Sequence, residues 1–130
     1  MLKKLLFPIL VLIISAMVSI SIAGTSSVEV YITQSSDTGS GMAGYRLYLS
    51  DTSGGYTIGE GNEAAWVPHI DGIPEILYIL TGVADGTKYL VATAVDNAGN
   101  ESGISNEVSF TADATSPDVP SCRIGNIFKD

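Results

Sequence analysis

One cysteine, Cys122, and one histidine, His69, are all that this 130-residue chain holds of the two residue types most used for metal binding and nucleophilic attack. A lone cysteine cannot form an internal disulfide, so the core must hold the fold unaided. One His and one Cys cannot close a zinc site. Cations are also scarce: six Lys and Arg stand against fourteen Asp and Glu, for a formal net charge of -8. An acidic surface repels phosphate backbones, which excludes nucleic acid as an expected partner. Beyond residue 24 no apolar repeat of helical period occurs, which leaves an all-β chain as the expectation. There is no nucleophile elbow, no wall-sorting motif and no Arg-Gly-Asp signal.

What is present begins with a targeting segment. Lys3 and Lys4 precede an apolar stretch from Leu5 to Ile20, and Ser21-Ile22-Ala23 sets small residues where a signal peptidase cuts, before Gly24. The reading is a signal peptide over 1–23 and export to the periplasm or beyond. The alternative is an uncleaved membrane anchor, because the apolar stretch approaches the roughly 20 residues that span a bilayer. No cysteine for lipid attachment follows it. Cleavage removes two of the six cations, so the mature chain is more acidic still, and its length suits one small domain with a single core.

Within that domain, Val28 to Thr33 alternates and is β-branched, as a half-buried strand should be. Gln34 to Gly44 is a Ser/Asp/Gly-rich loop. Tyr45 to Ser50 reads as a second strand with Tyr45, Leu47 and Leu49 on one face, followed by a turn at Ser53-Gly54-Gly55 and a short edge strand at Tyr56-Thr57-Ile58. Glu75 to Thr81, Thr87 to Asp96 and Ser105 to Ala112 complete the set, the last two joined as a hairpin through an Asn/Gly-rich loop.

Three runs in this pattern carry a family resemblance. Val83-Ala84-Asp85-Gly86-Thr87-Lys88-Tyr89 and Ala94-Val95-Asp96-Asn97-Ala98-Gly99-Asn100-Glu101-Ser102 resemble the corner and final loop of bacterial fibronectin type III domains, and Tyr45 to Ser50 resembles the third strand of that family. The resemblance covers about Val28 to Ala112. It implies a seven-stranded antiparallel β-sandwich, with Gly86 and Tyr89 at a structural corner and Tyr89 pointing inward. It places Gly24 to Ser27 as a short mature N-terminus and 113–130 as a Pro-containing tail. Three departures stand out: the opening strand is short or missing, Ile32 stands where a tryptophan is common, and the connection from Gly59 to Pro74 is long. The penultimate strand has two possible phases. Counted from the corner, Tyr89, Val91, Thr93 and Val95 point in; counted from its far end, Leu90, Ala92 and Ala94 do, and a β-bulge would reconcile them.

The candidate site residues follow from these departures. Trp66, with Tyr56 and Tyr78, has the aromatic surface to stack on a sugar or a peptide, or Trp66 folds over the sheet as replacement core. His69 and Asp71 lie close in sequence, but catalysis would need a nucleophile and an oxyanion site beside them, so no enzyme is expected. Asp96, Asn97, Asn100 and Glu101 are oxygen-rich, yet lack the alternating ligand spacing of a calcium loop and serve equally as turn formers. No metal and no cofactor are expected. Cys122 is either an intermolecular bridge or a free thiol. A missing opening strand leaves Val28–Thr33 at a sheet edge, open to strand addition. The tail Ser121–Phe128, with Ile124, Ile127 and Phe128, is a candidate to fill it in the same molecule or a neighbour. The expected role is a non-catalytic module for protein contact or a structural unit, its partner a protein or cell-envelope component. Self-association through the edge or Cys122 is a further option. The alternative is carbohydrate binding through Trp66 and the tyrosines.

Overall fold

The computed structural model describes residues 24–129, so the expected signal peptide lies outside the described residues. Six strands follow in chain order: β1 (Thr25–Thr33), β2 (Met42–Ser50), β3 (Ala65–Pro68), β4 (Glu75–Ala84), β5 (Gly86–Asp96) and β6 (Val108–Ala112). They form two antiparallel sheets, β1-β4 and β3-β2-β5-β6, and the described residues contain no helix. The all-β, sandwich-like expectation holds.

Alternation sorts the core. Val28, Val30 and Ile32 of β1 and Ile76, Tyr78 and Leu80 of β4 turn inward, opposite Tyr45 and Leu47 of β2, Val67 of β3 and Leu90 of β5. Large residues meet small ones across the second sheet: Leu47 pairs with Ala92 and Tyr45 with Ala94. That pairing settles the phase of β5. Its register against β2 runs without a break from Gly44↔Val95 to Ser50↔Tyr89, so one phase holds throughout that stretch. Leu90, Ala92 and Ala94 pack with the core, and the expectation of an inward Tyr89 is corrected. The chain crosses between sheets at Ala84-Asp85-Gly86, where Gly86 takes φ +118°. This left-handed value is natural only for glycine. Gly86 therefore makes the corner, while Tyr89 falls on the outer face.

Other boundaries also move. The edge strand is β3 at Ala65–Pro68, inside the long connection, rather than Tyr56-Thr57-Ile58. Residues 25–27 extend β1 instead of standing as a separate lead-in. Regular β6 starts only at Val108, because residues 101–106 follow β5 irregularly. Glu101 bridges Val95, and the hydroxyls of Ser102 and Ser105 accept from the Ala94 and Ala92 N–H groups at 2.8 and 2.9 Å. Side chains here take up ladder donors that a regular strand would have matched with carbonyls.

Candidate interaction surface

The outer face of the four-stranded sheet is not solvent-facing throughout: Tyr48, Val91, Thr93 and Val95 are all buried. The connection between β2 and β3 is tied across it at two points. Glu107 accepts from Ser53 Oγ at 2.5 Å, Gly54 N–H at 2.9 Å and Tyr56 Oη at 2.7 Å. Farther along, Tyr48 Oη accepts from the Gly59 N–H at 3.0 Å and donates to Glu101 Oε1 at 2.5 Å. Because both faces of β5 are covered, its sequence reads as a continuous apolar run rather than an alternating one.

Glu101 is the hub of this face. It also accepts from Thr93 Oγ1 at 2.6 Å and from Arg46 Nη1 at 2.8 Å. Burial by itself works to raise its pKa, but the hydrogen bonds from Thr93 and Tyr48 and the Arg46 charge outweigh that and hold the carboxyl below its ordinary value. Burial, then donation to Glu101, pushes the Tyr48 phenol up. Read locally, Glu101 groups with Asp96, Asn97 and Asn100 as part of a polar turn. Its true place depends on the irregular start of β6, which turns it under the sheet.

Trp66 sits on β3 directly opposite Arg46. Its ring lies against Gly44, where any Cβ would come within 2.5 Å of the ring and of the Val67 carbonyl. The Arg46 guanidinium stands 5.8 Å from the ring centroid, in cation–π range. The ring is 40% exposed and on the outer face, so it is a partly open platform rather than replacement core. The two tyrosines do not join it. Tyr78 packs against the core from the other sheet. Tyr56 is anchored to Glu107, on the far side of a sheet ordered β3-β2-β5-β6, three strand spacings or about 14 Å from β3.

His69 joins a local clasp. Its N–H donates to the Ala43 carbonyl at 3.0 Å, its Nδ1 lies 3.3 Å from Tyr45 Oη, and its Nε2 lies 3.3 Å from Asp71 Oδ1. Gln34 closes the same turn, accepting from the Ile70 N–H at 3.1 Å and donating to the Ile70 and Ile73 carbonyls at 2.7 and 2.5 Å. Among the described residues no Ser or Cys side chain is hydrogen-bonded to His69. In the β5–β6 loop, Asp96 accepts from the Asn100 N–H at 2.7 Å and Asn100 Nδ2 at 2.8 Å, while Asn97 Nδ2 donates to the Ser40 carbonyl at 2.9 Å. These bonds hold the Asp96 carboxyl below its ordinary value. Both Asp96 carboxylate oxygens are thus engaged by Asn100, and Glu101 is turned instead to Arg46, Tyr48 and Thr93.

A third region has no cover. Among the described residues β1 pairs only with β4, and none of them forms a strand on its other edge. Between that edge and the opposing β5–β6 wall runs an open groove of about 300 Å³, lined on one side by Val30, Tyr31 and Ile32 and on the other by Leu90, Ile104 and Val108. A second hollow continues it past Val28, Glu29 and Phe110. Beside it, on the outer face of the small sheet, Tyr31, Leu77 and Ile79 are exposed, and Tyr31 pairs directly with Leu77. Isolated exposed apolar residues are unremarkable, whereas a contiguous set beside an open backbone edge marks a contact surface. Cys122 is exposed on the tail. Comparison with family models, with curated proteins and with solved structures finds no match to this chain.

Proposed function

We propose that this chain is an exported, non-catalytic β-sandwich module of the fibronectin type III kind that meets other polypeptides along the β1 edge. One observation carries the reading: among the described residues β1 has a single partner, its open side lines the groove, and an apolar patch lies on the outer face of the same small sheet. Six strands in sheets of two and four, with β1 outermost, suit a seven-stranded sandwich without its opening strand. The corner at Gly86 and the Asp96–Ser102 loop support the same kinship. Unpaired backbone groups supply affinity to an incoming strand, and pockets for its alternate side chains supply selectivity. The test is recovery of a defined partner from the cell envelope by the wild-type chain and by Leu77→Lys. Loss of the partner with Leu77→Lys supports this surface; equal recovery by both rejects it.

A second reading rests on Trp66. The half-open ring beside Arg46 is a stacking platform for a sugar, although it works without Tyr56 or Tyr78. Binding on a glycan array that vanishes in Trp66→Ala supports this reading, and an array without signal rejects it.

A further inference from the structure

We infer that the groove beside β1 receives the C-terminal segment 121–129 of a second copy of this chain, added as an extra strand on the β1 edge. The inference rests on the contact-module reading and names the partner for that edge.

The tail is built like a strand and is not used as one in its own molecule. After Pro120, every residue from Ser121 to Lys129 has a backbone N–H to give to a ladder. At a period of two, Cys122, Ile124 and Phe128 share one face, and Arg123, Ile127 and Lys129 share the other. In the structure the segment forms no helix, strand or turn. Its apolar side chains are bare: Ile124 is 78%, Ile127 89% and Phe128 82% exposed.

The tail's origin directs it away from its own groove. Asp85 holds its first residues, accepting from the Ala114 N–H at 2.7 Å and from the Thr115 hydroxyl. Ala114 lies against Gly24, at the head of β1. From there to Lys129 the backbone has no turn or bend. At roughly 3.3 Å per residue, the stretch from Asp113 to Lys129 reaches about 55 Å, well past the 9-residue β1 that it would have to turn back along. An arm of that length reaches a second body.

Charge favours the same occupant. The body is acidic, and its two cations are taken: Arg46 pairs with Glu101, and Lys88 with Asp51. Arg123 and Lys129 are on the exposed tail. An added strand that sets Ile124 and Phe128 into the groove brings this basic face alongside Glu29 of β1.

Sedimentation of the exported chain, of a chain ending at Pro120, and of Ile124→Asp/Phe128→Asp tests the inference. Self-association is expected for the first, with weakening by at least about tenfold in the other two, as for loss of buried apolar anchors. A monomeric exported chain, or association untouched by both changes, overturns it. Oxidation of a mixture supplies the second arm: one chain keeps Cys122, and the other, differently tagged, carries Ser26→Cys, on the inward face of β1 opposite Val83, with Cys122→Ser. A disulfide joining the two tags is expected. If a chain bearing both Ser26→Cys and Cys122 instead closes only on itself, the tail serves its own groove and the inference falls. Envelope-partner capture that depends on Leu77 while tail loss leaves association unchanged rejects this inference alone; failure of both rejects the contact reading as well.

Discussion

Arg46 and Glu101 lie 55 positions apart in the chain and join at 2.8 Å beneath the β2–β3 connection, where Tyr48 and Thr93 donate to the same carboxylate. The pair fixes the loop after β5 to the centre of the four-stranded sheet. It also gives the outer face a polar anchor that Val91 and Val95 cannot supply.

Glu101→Ala leaves a largely buried guanidinium and a buried phenol without their acceptor. Breaking such a pair from one side costs about 3 kcal/mol, read as a lower urea midpoint at unchanged slope. Arg46→Met fills similar volume with no charge, and is expected to cost less than Glu101→Ala.

Acid should unfold this protein through its depressed carboxyls. Glu101, Glu107, Asp85 and Asp96 all sit below their ordinary values in the folded state. A lowered folded pKa contributes stability that is complete above the unfolded value, about 4, and is lost as pH falls through the folded one. Melting temperature is therefore expected to hold level from pH 7 to about 5 and to fall below about 4. Glu101→Gln should reduce that fall, with the difference between variant and wild type narrowing as the pH drops.

Gly44→Ala tests the seat of Trp66. The new methyl would meet the indole and the Val67 carbonyl at 2.5 Å, and backbone cannot yield as a flexible side chain can. Overpacking of this kind costs about 1–3 kcal/mol. Tryptophan emission should shift to the red as the ring leaves Arg46. The same change at Gly125, which has open space around it, should leave both signals alone.

Leu77→Lys separates contact from folding. Leu77 is exposed on the outer face opposite Tyr31, so the change should alter stability by no more than about 0.5 kcal/mol. Partner capture should nonetheless be lost. A drop in melting temperature matching a core substitution would show that this face is covered within the molecule.

Much of this fold was legible because alternation is a local property. Val28 to Thr33, Tyr45 to Ser50 and Glu75 to Thr81 each declare an inward face in their own residues. The open β1 edge was expected too, on the reading that only Gly24 to Ser27 precede Val28 in the mature chain. Where the sequence misled, the deciding partner lay far along the chain. Tyr89 looked inward until Ala92 and Ala94 met Leu47 and Tyr45. β3 was hidden in a stretch where only Ala65 and Val67 pack toward the core, too short to show a period. Glu101 looked like turn chemistry because neither Arg46 nor Tyr48 is near it in sequence. Trp66, Tyr56 and Tyr78 were grouped as one aromatic set because nothing local revealed that the two tyrosines lie elsewhere.

Amide hydrogen exchange along Thr25–Thr33 in the chain from Gly24 to Asp130, followed from dilute to concentrated solution, bears most directly on whether β1 is where this protein meets other chains. The N–H groups of β1 that face away from β4 should exchange quickly when dilute and become protected as concentration rises, while those bonded to β4 stay slow throughout. Outward amides that are already protected in dilute solution, or that exchange equally fast at every concentration, would contradict a contact edge filled by a second copy.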